Sequence, residues 1–297
     1  MLNLRIIYDF FVNHPLIIRH PVKSLSLFLL WQLQSRIQPS KLFVKQFIPP
    51  VKFYARKGLV GATGNIYAGL HEFYDMGFLL HLLRPGDVFF DIGANVGSYT
   101  LLASGVCGAK SVALEPVAST FDILTQNIAL NQLHDKVTLK NTAAGAREGT
   151  ILFSTDEDST NHVIAANESP GPGSVYVEVI TADSLAEDGP PLLAKIDVEG
   201  FETEVLNGMG RLLDNNGLKA IIIELNGSGS RYGYDENAIH QLLTDKMFQP
   251  YSYDPFSRQL TALSSYGIEN TIYCRDIDFI TSRLKTAKFI QVKGEVI

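Results

Sequence analysis

The stretch DVFFDIGANVGSYT, residues 87–100, decides how this chain is read. A short apolar run ends at Asp91, glycines follow at 93 and 97, and SYTLLASGVCG then has the composition of a helix. Strand, glycine loop and helix N-terminus in that order form a natural ligand site, because glycine lets backbone approach closely and free N–H groups attract negative charge. The dinucleotide fingerprint needs Gly at i, i+2 and i+5. Counted from Gly93, those positions hold Gly93, Asn95 and Ser98, and no P-loop Lys-Ser/Thr follows. A nicotinamide or flavin enzyme is therefore disfavoured.

Outward from this stretch, strands and helices alternate. SVALEP, VTLKNTA, LLAKIDVEG and LKAIIIELN read as further core strands, with helices at STFDILTQNIALNQL, ETEVLNGMGRLLD and DENAIHQLLTDK. TILFS and VYVEVIT read as added strands around a polar loop, 155–174. FQPYSYD and NTIYCRD read as a closing hairpin. Strands apolar at consecutive positions are those of a parallel sheet covered on both faces. The expected fold is α/β, a doubly wound, mostly parallel, seven-stranded Rossmann-like sheet with ligands at the carboxyl ends of its strands.

Before the core, residues 1–50 read as one or two helices broken at His14-Pro15 and His20-Pro21 and ending at Pro49-Pro50. A short strand, a glycine-rich turn and a helix near 71–83 lead to Pro85-Gly86. The expected division is a basic helical extension, 1–50, and a catalytic domain, 51–297. Net charge is −6, which argues against nucleic acid as a partner. Residues 1–60 nevertheless hold nine Lys or Arg against Asp9 alone, a balance of +8, and the remainder is −14. The apolar run SLSLFLLWQLQS is too short to span a bilayer, which takes ~20 residues. The expectation is a cytoplasmic protein. A basic amphipathic leader can lie peripherally on a membrane, but the His-Pro breaks interrupt a long amphipathic face and favour packing on the body or in a dimer. Two cysteines outside any C-x-x-C pair read as small hydrophobes.

The loop chemistry points to a ligand without a pyrophosphate. Asp91 can meet an ammonium group, and N–H groups near Gly97 and Ser98 can meet a carboxylate. Glu115 ends the second strand 24 residues after Asp91, where an acid bonds ribose hydroxyls in nucleoside-binding α/β folds. Amino acid plus ribose describes S-adenosylmethionine.

DVFFDIGANVGSYT, ALEP, NTAAG and above all KIDVEGFETEVLNG resemble the FkbM-type family of S-adenosylmethionine-dependent methyltransferases, over roughly residues 65–230. The resemblance implies that Asp91, Gly93, Ala94, Asn95, Gly97 and Ser98 shape the methionine pocket and that Glu115 holds the ribose. It implies that Asn141 and Ala143 line the adenine, with Asn141 where many such enzymes carry an acid. GNIYAGLHEFYDMGF resembles the element from which an acid, here Glu72, reaches the cofactor. The expected chemistry is methyl transfer to an oxygen, of a sugar, a glycan or a secondary metabolite.

Asp197 follows the apolar run LLAKI at the carboxyl edge, and Glu199 and Glu202 open the next helix. An acid in a first helical turn is already stabilising by ~0.3–1 kcal/mol, which accounts for Glu202 fully and Glu199 in part. Asp197, Glu199 and His162, with Asn161 and Thr160 beside it, are the candidate bases. A magnesium-assisted variant would use Asp197, Glu224 and Asn226. The remaining alternative is a non-catalytic S-adenosylmethionine-binding scaffold.

Overall fold

The leader is broken at both His-Pro pairs, each of which ends one helix and opens the next. The computed structural model describes residues 4–155, 161–165, 167–267 and 269–297. Its leader forms three helices, α1 (Leu4–Asn13), α2 (Pro15–Arg19) and α3 (Pro21–Ile37), not one or two. Pro15 and Pro21 each open a helix, where proline's missing N–H costs nothing. Strands β1 (Phe43–Gln46) and β2 (Lys52–Ala55) pair antiparallel around Pro49-Pro50. The expected glycine-rich turn is a helix, α4 (Val60–Ala68), followed by α5 (Phe73–Leu82). The glycines of α4 serve close packing: a Cβ on Gly64 would sit 2.5 Å from the His71 ring, and one on Gly61 3.0 Å from Asn95 Oδ1.

The core follows as β3 (Val88–Ile92), α6 (Ser98–Thr100, continuing in wider π turns over Leu101–Val106), β4 (Lys110–Leu114), α7 (Ala118–Leu130) and β5 (Val137–Lys140). An insert holds β6 (Ala143–Ala144), β7 (Gly149–Phe153) and β8 (Val175–Ile180), a separate three-stranded sheet. The core resumes with β9 (Leu193–Ile196), α8 (Glu202–Asn207), α9 (Gly210–Asp214), β10 (Ala220–Glu224) and α10 (Glu236–Asp245). It closes with β11 (Gln249–Asp254), β12 (Gln259–Ala262), β13 (Asn270–Cys274), α11 (Ile277–Lys285) and a small hairpin, β14 (Gln291–Val292) with β15 (Glu295–Val296).

The main sheet has eight strands in the order β12-β11-β13-β10-β9-β3-β4-β5. Five run parallel, from β10 to β5. The seven expected strands are all present, and the eighth is β12, a polar edge strand (QLTA) that forms the hairpin with β11. NTIYC, expected to close a hairpin with FQPYSYD, instead slots antiparallel between β10 and β11. Alternate residues feed opposite faces. Phe89 and Ile222 join the core under α5, α6 and α7, and Phe90, Ile92, Ile221 and Ile223 join the core under α8 and α10. Burial on both faces explains the unbroken apolar runs. The chain leaves β3 for β4 on one side and later returns to β9 on the other, so the crevice at the carboxyl ends of β3 and β9 is the expected ligand site.

Candidate active site

A cleft of about 270 Å³ opens at that crevice. Its floor is the loop after β3. Gly93 has φ +83, and a Cβ there would lie 1.8 Å from the Asp197 carbonyl oxygen, so only glycine fits between β3 and β9. Gly97 (φ +90) turns the chain into α6 against Leu124 and is not part of the cleft wall. The Gly93 and Ala94 N–H groups both donate to the Leu114 carbonyl, at 3.1 and 2.8 Å. Asn95 (φ 50) donates its N–H to Glu115 Oε2 at 3.0 Å. Ser98 Oγ donates to the Gly61 carbonyl and accepts from Asn65, which ties the loop to α4.

Asp91 is buried, with Oδ2 accepting from the Thr100 N–H and hydroxyl at 3.0 and 2.6 Å. Burial pushes its pKa up against the opposing pull of Lys195. Glu115, also buried, accepts from Val117 N–H through Oε1 (2.9 Å) and Asn95 N–H through Oε2. Its carboxyl is raised to about 7 by burial. Asn141 is exposed, and its Nδ2 donates to the Glu115 and Pro116 carbonyls, so it fastens the β4 end from outside the cleft. Its neighbours Thr142, Ala143 and Ala144 form the wall instead. The sequence reading passed over Thr142. Its buried Oγ1 has no hydrogen-bond partner among the described residues, and its only signal in the sequence is its place in the short link between β5 and β6. Glu72, ahead of α5, is on the facing wall.

The acids cluster where β9 and β10 end. Lys195, 3% exposed, places Nζ 2.6 Å from Asp197 Oδ2 and 4.8 Å above the Tyr99 ring. Its pKa is raised by Asp197, Glu72 and Asp91 despite the opposing cost of burial. Glu199, in the left-handed region at φ 54, is raised to about 7 by burial and then by Asp197. Glu224 is raised to about 9 by burial, Asp197 and Glu199. Asp197, Glu199 and Glu224 bring carboxylate oxygens within 4.8 Å of one another, the one group of metal-capable side chains among the described residues. Asn226 is exposed and accepts from Ser228 N–H in a turn, apart from that trio. Glu202 is buried, with Oε1 accepting from the Val198 and Gly200 N–H groups, and so fastens the loop after β9 to the start of α8. The His162 ring lies between Ser154 Oγ and Glu168 Oε2, 3.4 Å from each, and is not part of the wall; its neighbours Asn161 and Val163 are. Thr160 lies outside the described residues.

Residues 91–250 match the Methyltransferase FkbM domain, over half of the chain. The chain belongs to the FkbM methyltransferase family. It is similar to the hexuronic acid methyltransferase AglP of Haloferax volcanii, with 30% identity over 211 residues that cover 69% of this chain and 74% of AglP. Solved structures with a likeness include precorrin-6y C5,15-methyltransferase from Geobacter metallireducens (16% identity, 67% of this chain and 85% of that one, TM-score 0.38). Another is an rRNA methylase from Streptococcus thermophilus (14% identity, 67% and 91%, TM-score 0.37). As an FkbM methyltransferase the chain is an S-adenosylmethionine-dependent enzyme.

Proposed function

We propose that this chain methylates an oxygen of an acidic sugar, with S-adenosylmethionine held in the cleft below Glu115. The observation that carries the reading is the convergence in one cleft of Glu115 at the end of β4 with Asp197, Glu199 and Glu224 at the ends of β9 and β10. A wall of acidic groups beside an organised Glu115 suits a ligand that bears a ribose diol and is cationic at sulfur, since a cation draws such carboxyls into their charged form. The unpartnered Thr142 hydroxyl offers a donor and an acceptor to the base, since buried polar groups normally find partners. The sugar comes from the likeness to a hexuronic acid methyltransferase.

Bound there, S-adenosylmethionine supplies an electrophilic sulfonium methyl. Glu115 would accept the ribose hydroxyls on lone pairs that the Asn95 and Val117 N–H groups leave free. Asp91 has committed one oxygen to Thr100 and keeps the other for the ammonium group. Ala94, Asn95 and Ser98 line the methionine end, Gly97 sets the turn into α6, and Glu72 faces the cofactor from just ahead of α5. Ala143 lies beside Thr142 at the adenine end. Asp197, fixed by Lys195, orients the acceptor hydroxyl, and Glu199 takes the proton from the acceptor oxygen onto its carboxylate. A base with its pKa near the working pH is the effective one, and Glu199 at about 7 meets that condition. Holding acceptor and donor in line is worth ~7–11 kcal/mol of the barrier.

The acidic trio favours one second reading. A hard divalent cation accepts such a set of oxygens and would polarise the acceptor hydroxyl. Activity lost to EDTA and restored by magnesium would establish it; activity indifferent to EDTA leaves Glu199 as the base.

The test is incubation with methyl-labelled S-adenosylmethionine and either glucuronic acid glycosides or their neutral glucose counterparts. Label is expected in the acidic sugar. Label in neither, from protein that binds the cofactor, would remove the sugar and leave the cofactor assignment standing.

A further inference from the structure

Helix α3 carries apolar residues on both of its sides. Its inward side buries Ser24, Trp31 and Ser35 and half-buries Leu27 and Phe28, the latter against the rings of Phe11 and Tyr67. Its outward side is Val22, Leu25, Leu29, Leu33 and Ile37, each between 49% and 78% exposed. Steps of three and four residues put these five on one helix face. A helix packed on a globular body normally turns its leucines in and its serines out. Contiguous exposed apolar surface of this kind marks a place where something else binds.

The surroundings identify the occupant. Lys23 and Arg36 flank the stripe on its two sides, and Lys41 and Lys45 follow the end of the helix. A groove of about 890 Å³ runs alongside, between α3, β1 and α4, with Leu30, Leu33 and Ile37 on its apolar side and Lys23, Lys41, Lys45 and Lys293 along its rim. Lys293 Nζ donates to the buried Ser24 Oγ at 2.6 Å, and Lys23 Nζ donates to the Lys293 carbonyl, so the bases gather at this end of α3. Asp9 is the only acid in the first 60 residues, and it pairs with Arg5. A second copy of the chain fits poorly, because an isologous contact would set these lysines against their own images. A sheet of anionic headgroups over acyl chains fits both the charge and the apolar stripe.

We propose that the outward face of α3 docks on an anionic lipid bilayer, the helix lying in the plane of the interface. Apolar side chains of this face enter the acyl boundary and the flanking bases meet the headgroups. No helix among the described residues is long and apolar enough to cross a membrane, so the contact is with one leaflet. Helix α4 links the docked face to the chemistry: Asn65 lines the groove and also donates to Ser98 Oγ of the cofactor loop. Docking therefore holds the cleft at a fixed orientation to the membrane, which suits an acceptor carried on a lipid.

Co-sedimentation of the full chain with vesicles tests this independently of any activity. One set is phosphatidylcholine; the other has roughly a third of its lipid replaced by phosphatidylglycerol. The protein is expected to sediment with the anionic vesicles at low salt, to stay in solution with the neutral ones, and to be released by high salt. Leu29→Asp with Leu33→Asp should cut the bound fraction roughly tenfold or more, and Lys23→Glu with Arg36→Glu should do the same, by reversing the headgroup attraction. Both pairs are on the surface, and unchanged binding of S-adenosylhomocysteine reports an intact fold. Failure to sediment at low salt would overturn the proposal. So would a dimer, seen by light scattering, that the Leu29→Asp and Leu33→Asp pair splits into monomers, because the face would then belong to a second copy.

Discussion

Lys195 is the residue on which the acidic end of the cleft depends. It is buried at 2.6 Å from Asp197 and lies among Glu72 and Asp91. Removing one partner of a buried pair leaves an uncompensated charge and costs ~3–5 kcal/mol. Lys195→Met is therefore expected to destabilise the protein by about 3 kcal/mol or more in urea unfolding, where a surface lysine would cost little. In the proposed mechanism Glu199 takes the proton. Glu199→Gln should lower the methyl-transfer rate ~10²-fold or more with cofactor affinity unchanged. In the wild type the rate should rise with pH through about 7 as Glu199 loses its proton, and in the variant that rise should vanish. A variant that keeps both rate and pH profile would take Glu199 out of the mechanism. These roles were partly legible in the sequence. Asp91, Glu115 and Asp197 stand at strand ends, and strand ends are visible as the last polar residue of an apolar run. Thr142 was hidden because a threonine after a strand signals nothing until its hydroxyl is seen unpartnered. Asn141 was misleading for the opposite reason: an amide in the right register turned out to hold backbone carbonyls.

At the scale of elements, the loop between β3 and α6 works by exclusion. Gly93 leaves no room for a side chain between β3 and the Asp197 carbonyl. Gly93→Ala should part β3 from β9, and with it Asp91 from Asp197, so both stability and S-adenosylhomocysteine binding should fall together in a thermal shift series. Retention of either would show that the loop has slack. The parallel core was legible because both faces of each strand are buried and the apolar runs are continuous. The edges were not. β12 is only four residues long, and Leu260 and Ala262 alone are too few to read as a period. α4 carries two glycines, which ordinarily weaken a helix by ~1 kcal/mol each, and close packing against Asn95 and His71 explains them only in three dimensions. The His-Pro pairs were ambiguous in principle, since proline both ends one helix and begins the next.

The whole molecule gathers carboxyls that folding holds above their ordinary range: Glu115, Glu199 and Glu202 at about 7 and Glu224 at about 9. Each binds its proton more tightly folded than unfolded, so its stabilising contribution is full at low pH and is lost as pH rises through the folded value. His14 and His81 act oppositely: burial lowers both to about 4, so they cost stability as pH falls below 6.5. The two effects overlap in mildly acidic solution; from pH 6.5 to 8 the carboxyls set the slope, and above 8 Lys293, which burial lowers to about 8, sheds its charge and opposes them. Stability of the ligand-free protein is thus expected to decline from pH 6.5 to 8. Glu224→Gln should remove the upper part of that decline and stabilise by ~1–2 kcal/mol at pH 8, as measured by urea unfolding at several pH values; a flat wild-type profile over this range would contradict the cluster as drawn. The central claim is that this cleft holds S-adenosylmethionine through Glu115, and titration calorimetry with S-adenosylhomocysteine tests it most directly. The wild type should bind at one site, and Glu115→Ala should lose ~1–3 kcal/mol, about 5–150-fold in affinity. A wild-type protein that binds neither S-adenosylhomocysteine nor S-adenosylmethionine would contradict the account.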